Sequence, residues 1–362
     1  MNRVLAIHRG GSWNARWIEH CQDHGIPHRV VDCFASDIMV QLRDCWGLMW
    51  LFRHTDPQEM LLAQSVLNSA AAAGLRVFPD HRTCWHYDDK LAQKYLFEAL
   101  GLPAPPAWAF FDRRSALDFV AGCPLPIVAK LRRGAGSYNV RLLRSRSAAR
   151  RYVRRMFGRG FSPMPALLAD AGNKLRVAAA GGRWKGIVAR LRKAPRFFRM
   201  VLRGRQIFGR EKGYAYFQKF LPGNSCDIRI SVVGSRAWGF RRVVRKNDFR
   251  ASGSGVIDYD RSQIPLELVA ESFRATDALG MQSACYDWVR DPDLGYRFVE
   301  VSMGFVDQAV RDCDGYWDRE LTWRAGHVYP SIAVLEDMLA AAAIGGRSTA
   351  ACGAAGPNGS PA

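Results

Sequence analysis

Lys130-Leu131-Arg132-Arg133-Gly134-Ala135-Gly136-Ser137 follows the apolar run Leu125-Pro126-Ile127-Val128-Ala129 and leads into Tyr138-Asn139-Val140. A lysine ends one expected strand, a loop with two glycines and a serine follows, and a second strand is expected to include Val140. Glycines let backbone N–H groups approach phosphate oxygens, and a lysine at a strand end supplies a fixed positive charge. A plain Gly-rich hairpin looks the same, so the stretch alone leaves both readings open. It is not a Walker A loop, because Gly-Lys followed by Ser or Thr is missing.

Downstream, residues 214–221 read as a strand. Residues 227–233 and 237–244 read as a strand pair turned at Gly234-Ser235, and residues 266–278 as a helix. Residues 284–289 and 296–301 form two further expected strands joined by the turn Asp291-Pro292-Asp293-Leu294-Gly295. Asp287 and Glu300 fall on these two strands. Glu300 lies within Phe298-Val299-Glu300-Val301-Ser302, an apolar run in which a carboxylate is costly unless neutralised. Magnesium, which takes one or two carboxylates plus phosphate oxygens, would neutralise it, and a solvent-facing strand position would also explain it. Arg241, Arg242, Arg245 and Arg250 lead into Ala-Ser-Gly-Ser-Gly255. Arginines beside a Gly/Ser loop suit phosphoryl or acyl-phosphate charge, and they equally suit a basic strand face.

Upstream, residues 1–88 alternate strand and helix patterns and predict a small open sheet of Rossmann type. The Gly-x-Gly-x-x-Gly fingerprint is absent there, so no dinucleotide is inferred. Residues 89–100 read as a helix, 107–111 as a strand, and 115–120 as the start of another helix. Residues 341–362, rich in Ala, Gly, Ser and Pro, are expected to be a disordered tail.

The 362 residues suggest two or three structural units, and the formal net charge of +19 favours anionic partners without choosing among them. Nine cysteines occur at irregular spacing with no Cys-x-x-Cys, which favours reduced core thiols over a disulfide framework or zinc site. No stretch approaches the ~20 apolar residues of a membrane span, and no secretory signal is recognisable at the start, so a cytoplasmic protein is expected.

Taken in order, these features resemble the ATP-grasp superfamily, closest to its RimK-like carboxylate–amine ligases, over residues 88–305. Asp88-Asp89-Lys90 before a helix is similar to the family's first ATP-lysine motif, and Lys130 to the second lysine ahead of a mobile Gly-rich loop. Phe217-Gln218-Lys219-Phe220-Leu221 resembles the hinge that reads adenine, mainly through the backbone of Lys219 and Phe220. Asp227-Ile228-Arg229 and Asp248-Phe249-Arg250 resemble two further signatures, in which Asp227 faces the nucleotide and Arg250 a phosphate. Asp287, Glu300 and Ser302 fall where the family places three magnesium ligands. Two positions depart from the pattern: Ser302 stands for the usual Asn, and Lys219 for a usual acid.

The resemblance implies an α/β fold with α+β subdomains. A Rossmann-like pre-ATP-grasp domain (1–88) would precede an ATP-grasp domain (89–340). The central subdomain of the latter would span about 126–213 and its C-terminal subdomain about 214–340. It implies ATP and Mg²⁺ as cofactors, with Mn²⁺ as an alternative. Lys90, Lys130, Gly134, Gly136, Ser137, Gln218, Lys219, Phe220, Asp227 and Arg250 would bind nucleotide, with Lys130 and Arg250 also acting in catalysis. The implied reaction is an ADP-forming ligation through an acyl phosphate, joining an amine to a small-molecule or glycan-linked carboxylate. The alternatives are an ATP-grasp-fold kinase or phosphotransferase, and a non-catalytic polyanion-binding protein with a degenerate ATP site.

Three further features complete the reading. Residues 312–323 mix acids with Tyr316, Trp317 and Trp323 and look like a substrate-binding loop, with Trp317 and Asp318 as its expected contacts. Residues 183–212 hold eleven Lys or Arg and one acid. They read as a solvated amphipathic arm or as a contact for an anionic membrane, with nucleic acid disfavoured as partner. His20, His24 and His28 recur every four residues, but Gly25 and Pro27 interrupt the helix that a metal site would need. A homo-oligomer remains open.

Overall fold

The computed structural model describes residues 4–134, 139–162, 204, 206–244 and 256–352. Strands β1 (Val4–His8), β2 (His28–Val31), β3 (Cys45–Met49) and β4 (Arg76–Phe78) form a parallel sheet in the order β2-β1-β3-β4, the open Rossmann-type sheet expected. Its helices include α1 (Ser12–Asp23), α2 (Ile38–Gln41), α3 (Pro57–Ala72) and α4 (His81–Cys84). Helix α3 starts where it does because the Asp56 carboxylate accepts the N–H groups of Gln58 and Glu59 and Pro57 occupies the first turn. His20 in α1 stacks on His24, which caps the end of that helix, while His28 lies beyond it on β2.

Helix α5 (Lys90–Ala99) leads into a second, antiparallel sheet of order β5-β8-β6-β7, built from β5 (Ala107–Phe110), β6 (Ile127–Lys130), β7 (Val140–Leu143) and β8 (Ala215–Lys219). Helices α6 (Arg113–Gly122) and α7 (Arg146–Met156) bury Ala116, Val120, Ala149 and Val153 against Ala129 and Phe217 on one face. Lys130 pairs with Tyr216 and Val128 with Gln218 in the register, so these four share the opposite face.

The third sheet has seven strands. Along it run β13 (Gly295–Ser302), β12 (Ser283–Asp291), β9 (Cys226–Val233), β10 (Arg236–Val243), β14 (Gly315–Trp317) and β15 (Trp323–Ala325), with β11 (Ile257–Asp258) also on β10. Helix α8 (Leu266–Leu279) packs Leu268, Val269 and Phe273 on the face carrying Ile228, Ile230 and Trp288, and ends at Gly280 in the left-handed conformation.

Two expectations fail. The C-terminal stretch is not a tail from residue 341: after α9 (Asp307–Arg311), helix α10 (Pro330–Cys352) runs through it. Ala340–Ala343 are strong helix formers, a preference that low-complexity composition conceals. Residues 353–362 lie outside the described residues. Helix α10 also returns to the first sheet: Ala333, Val334, Leu335 and Met338 share a core with Leu5, Ile7, Trp13, Trp17 and Phe78, and Trp17 Nε1 donates to Ser331 O at 2.7 Å. The N-terminal unit therefore shares its core with a C-terminal helix.

The second failure is the aromatic and acidic stretch 312–323. It folds as the β14–β15 hairpin, four strand positions from β13, or about 19 Å at the usual strand spacing. Trp317 is core, and the Asp318 carboxylate accepts the N–H of Glu320 and Thr322 and pairs with Arg324. Both residues serve the hairpin itself. Among the described residues, no helix is long and apolar enough to cross a membrane.

Candidate active site

The Lys130 face of the second sheet and the β13 end of the third enclose a cleft. At its foot lies the start of α5. Asp89 caps that helix, taking the N–H of Leu91 and of Ala92 at 3.1 Å each. Arg132 Nε donates to Asp89 at 2.7 Å and the Lys90 N–H donates to Arg132 O at 3.0 Å, so the base of the Gly-rich loop is fastened to the helix start. Gly134 has φ 127°, and a Cβ there would stand 2.4 Å from the Asn139 side chain, which requires glycine. Gly136 and Ser137 lie outside the described residues, as does Arg250.

Lys90 is buried with its ammonium 3.4 Å from Asp88, 3.5 Å from Glu300 and 3.3 Å from Gly134 O. Burial opposes its charge, but Glu300 and Asp88 outweigh burial and raise its pKa. Lys130 is equally buried, yet the described ion pairs give it no carboxylate of its own. Burial pulls its pKa down to about 8 against the attraction of Glu300, and Lys90 adds to the fall.

Strand register builds the opposite wall. On β9, Asp227 and Arg229 are two residues apart and share a face. Asp227 sits opposite Arg242 on β10, and Arg229 opposite Asp287 on β12. Arg229 grips Asp287 with bonds of 2.8 and 3.0 Å, Arg242 reaches Asp287 at 2.8 Å, and Arg242 also pairs with Asp227. Two arginines and two aspartates thus balance in a largely buried patch. The two guanidinium groups hold the Asp287 pKa down against burial. A bulge between Tyr286 and Trp288 then sets Val299 and Glu300 opposite Asp287.

Asp227 is 1% exposed and held by Arg242, which it orients. The Lys219 ammonium lies 2.8 Å from Asp291 and 3.1 Å from Asp293 and ties the hinge to the β12–β13 turn. The donors on β12 and β13 fit one magnesium ion: Glu300 is 31% exposed and Asp287 lies beside it, although Asp287 would share its oxygens with the arginines. Ser302 Oγ donates to Gly304 O at 2.7 Å, which leaves only its lone pairs for a metal. Among the described residues, no group of three or more His, Cys, Asp or Glu side chains could hold a metal.

Between hinge strand and β13 lies a cavity of about 380 Å³, lined by Lys90, Tyr216, Gln218, Leu294, Arg297 and Val299 among others. That volume is in the range of small-ligand sites. Gln218 is 6% exposed, and its side-chain amide has no hydrogen-bond partner among the described residues.

No family model matches the sequence, and no curated protein matches it either. Solved structures do match. A RimK domain ATP-grasp protein from Sphaerobacter thermophilus superposes with a TM-score of 0.52 at 17% identity, over 86% of this chain and 95% of that one. The ATP-grasp ligase PsnB complexed with minimal precursor gives 0.54 at 15%, over 94% and 99%. Biotin carboxylase from Campylobacter jejuni gives 0.55 at 12%, over 91% and 70%. This chain has an ATP-grasp fold.

On the ATP-grasp frame, the structure brings Lys90, Lys130, Gly134, Gln218, Asp287 and Glu300 around one cleft. Arg242 is one of the arginines expected to suit phosphoryl charge, whereas Arg229 had no role of its own beyond the Asp-Ile-Arg signature; the Asp-x-Arg spacing on one strand was its available signal. His54 carried no motif in the sequence. It follows β3, its Nδ1 is 2.9 Å from the Tyr87 hydroxyl, and it lies in the field of Asp88, Glu300 and Lys90. Its place after the carboxyl end of a parallel strand, where open sheets bind ligands, was the only clue. His86 is 1% exposed with neither ring nitrogen partnered among the described residues, and burial lowers its pKa to about 4.

Proposed function

We propose that this ATP-grasp chain binds Mg-ATP in the cleft and is an ADP-forming carboxylate–amine ligase working through an acyl phosphate. The observation that carries this reading is Lys130, a buried ammonium with no carboxylate of its own among the described ion pairs, on the sheet face it shares with Tyr216 and Gln218, which line a cavity of nucleotide-compatible size. Such a cation is costly unless an anion arrives to meet it. In this reading the base enters beside Gln218, with Lys219 and Phe220 at the hinge, and the phosphates run toward Lys90, Lys130 and the Gly134 N–H.

A substrate carboxylate oxygen attacks the γ-phosphorus, the bond to the ADP oxygen breaks, and an acyl phosphate forms. An amine then attacks the acyl carbon, inorganic phosphate leaves, and the amine gives up a proton. Lys90 and Lys130 hold the phosphates in line, while Arg229 and Arg242, kept in place by Asp227 and Asp287, supply donors for the transferring group. Magnesium held by Glu300 and Asp287 would offset charge on the β and γ oxygens. Arg250 and the loop residues Gly136 and Ser137 are further candidates for phosphate contact. The carboxylate is taken to be a small molecule or glycan-linked.

Thermal shift with Mg-ATP tests the site. Ligand at about 100 times its dissociation constant stabilises a fold by ~2.7 kcal/mol. The wild type should respond, and Lys130→Ala and Glu300→Ala should not; an unresponsive wild type removes the reading. Hydroxylamine added with ATP and a panel of carboxylic acids should then trap hydroxamates, whereas phosphoryl transfer to a hydroxyl without hydroxamate would favour a kinase.

A further inference from the structure

We propose that Asp88 is an internal stand-in for a nucleotide phosphate, which must displace its carboxylate from Gly134 and Lys90 in order to bind. The proposal rests on the nucleotide reading of the cleft and adds to it a residue that sets the affinity.

Two adjacent acids at the start of α5 do different work. Asp89 is consumed by the helix cap and by Arg132. Asp88 caps nothing. Its carboxylate turns to the Gly-rich loop, where both oxygens lie 3.1 Å from the Gly134 N–H, and one lies 3.4 Å from the Lys90 ammonium. The donors it meets are a glycine-loop N–H and the first lysine, the groups through which a phosphate would be held. Asp88 is only 8% exposed, so its charge depends on them.

The backbone agrees. Asp88 has φ 52°, the left-handed region that few non-glycine residues enter and that Asp tolerates better than most. That conformation lets residue 88 turn toward the loop while residue 89 enters the cap. The nucleotide-free protein thus satisfies two phosphate donors with its own anion and leaves Lys130 unmatched. Binding exchanges one anion for another, and the apparent affinity falls by the fraction of molecules in which Asp88 still occupies the donors.

The test titrates the full chain calorimetrically with Mg-ADP, with magnesium tripolyphosphate and with adenosine, comparing wild type, Asp88→Asn and Asp88→Ala. Asn keeps the shape and tolerates the backbone conformation, which guards against a folding defect in the Ala variant. Both variants should bind Mg-ADP and tripolyphosphate at least roughly fivefold more tightly than wild type, with adenosine unchanged. A residue that merely positions Lys90 would give the opposite sign. Equal or weaker Mg-ADP binding by both variants, or a gain for adenosine as large as that for tripolyphosphate, overturns the proposal and leaves the nucleotide site standing. Failure of wild type and both variants to bind any nucleotide overturns the reading of the cleft itself, and this proposal with it.

Discussion

The fold treats two groups of arginines in opposite ways. In the cleft, Arg229 and Arg242 are matched by Asp227 and Asp287 through strand register. On the outer side of the central subdomain, residues 141–159 contain eight arginines and no acid, and none of the eight has a carboxylate partner among the described residues. Arg141 and Arg155 lie over the Phe161 ring, and burial, together with Arg159, Arg141 and Arg210, lowers the pKa of Arg155. Charge withdrawn from water needs a partner, while exposed charge has the solvent. A net charge of +19 averages over these two situations.

The comparison breaks most visibly at Asp287. Asp287→Ala leaves two partly buried guanidinium groups facing one aspartate and should destabilise the protein by about 3 kcal/mol in urea unfolding. A loss below about 1 kcal/mol would mean that water already screens the cluster. Lys130 comes next, as the buried cleft cation without a carboxylate partner. Its folded pKa of about 8 lies below the ordinary 10.5, so the folded state binds fewer protons between those values and stability rises with pH across that window. Below pH 8 the penalty is fully present. Lys130→Met should therefore stabilise the nucleotide-free protein at pH 7, by on the order of 2 kcal/mol, while abolishing nucleotide binding. A destabilised variant would show that Lys130 is matched after all.

The same residue predicts a pH signature in binding. Phosphate raises the Lys130 pKa, so Mg-ATP should bind with proton uptake above pH 8 and with affinity that falls as pH rises further. Calorimetry in buffers of different ionisation enthalpy reads this directly, and Lys130→Arg should erase it; uptake that survives the arginine belongs to another group. The smallest effect is expected on the outer face. Arg151→Glu should move stability by less than about 0.5 kcal/mol, upward at low salt, and the difference should vanish at high salt. A large loss there would mean these arginines are structural and erase the contrast.

Local chemistry was legible where the signal is short-range. The strand ending at Lys130, the cap at Asp89, the glycine requirement at 134 and the turn at Asp291–Gly295 are each specified within a few residues. The side-chain partners of Asp227 and Lys219 were not legible because they stand 15 and 72 residues away, at Arg242 and Asp291. The stretch 312–323 misled because exposed-looking acids and tryptophans can equally close a hairpin on itself, as Asp318 does.

The sequence by itself determined the parallel first sheet, the Gly-rich loop after a lysine, and the acid-bearing hairpin, because backbone preference and side-chain alternation act over a few residues. Only the tertiary structure decided that Asp287 is gripped by Arg229, that Asp88 and Glu300 meet Lys90, and that the last helix completes the core of the first sheet. Those are contacts between distant segments. They depend on register and packing, which bring side chains together according to where the chain folds back and not according to what stands beside them in the sequence.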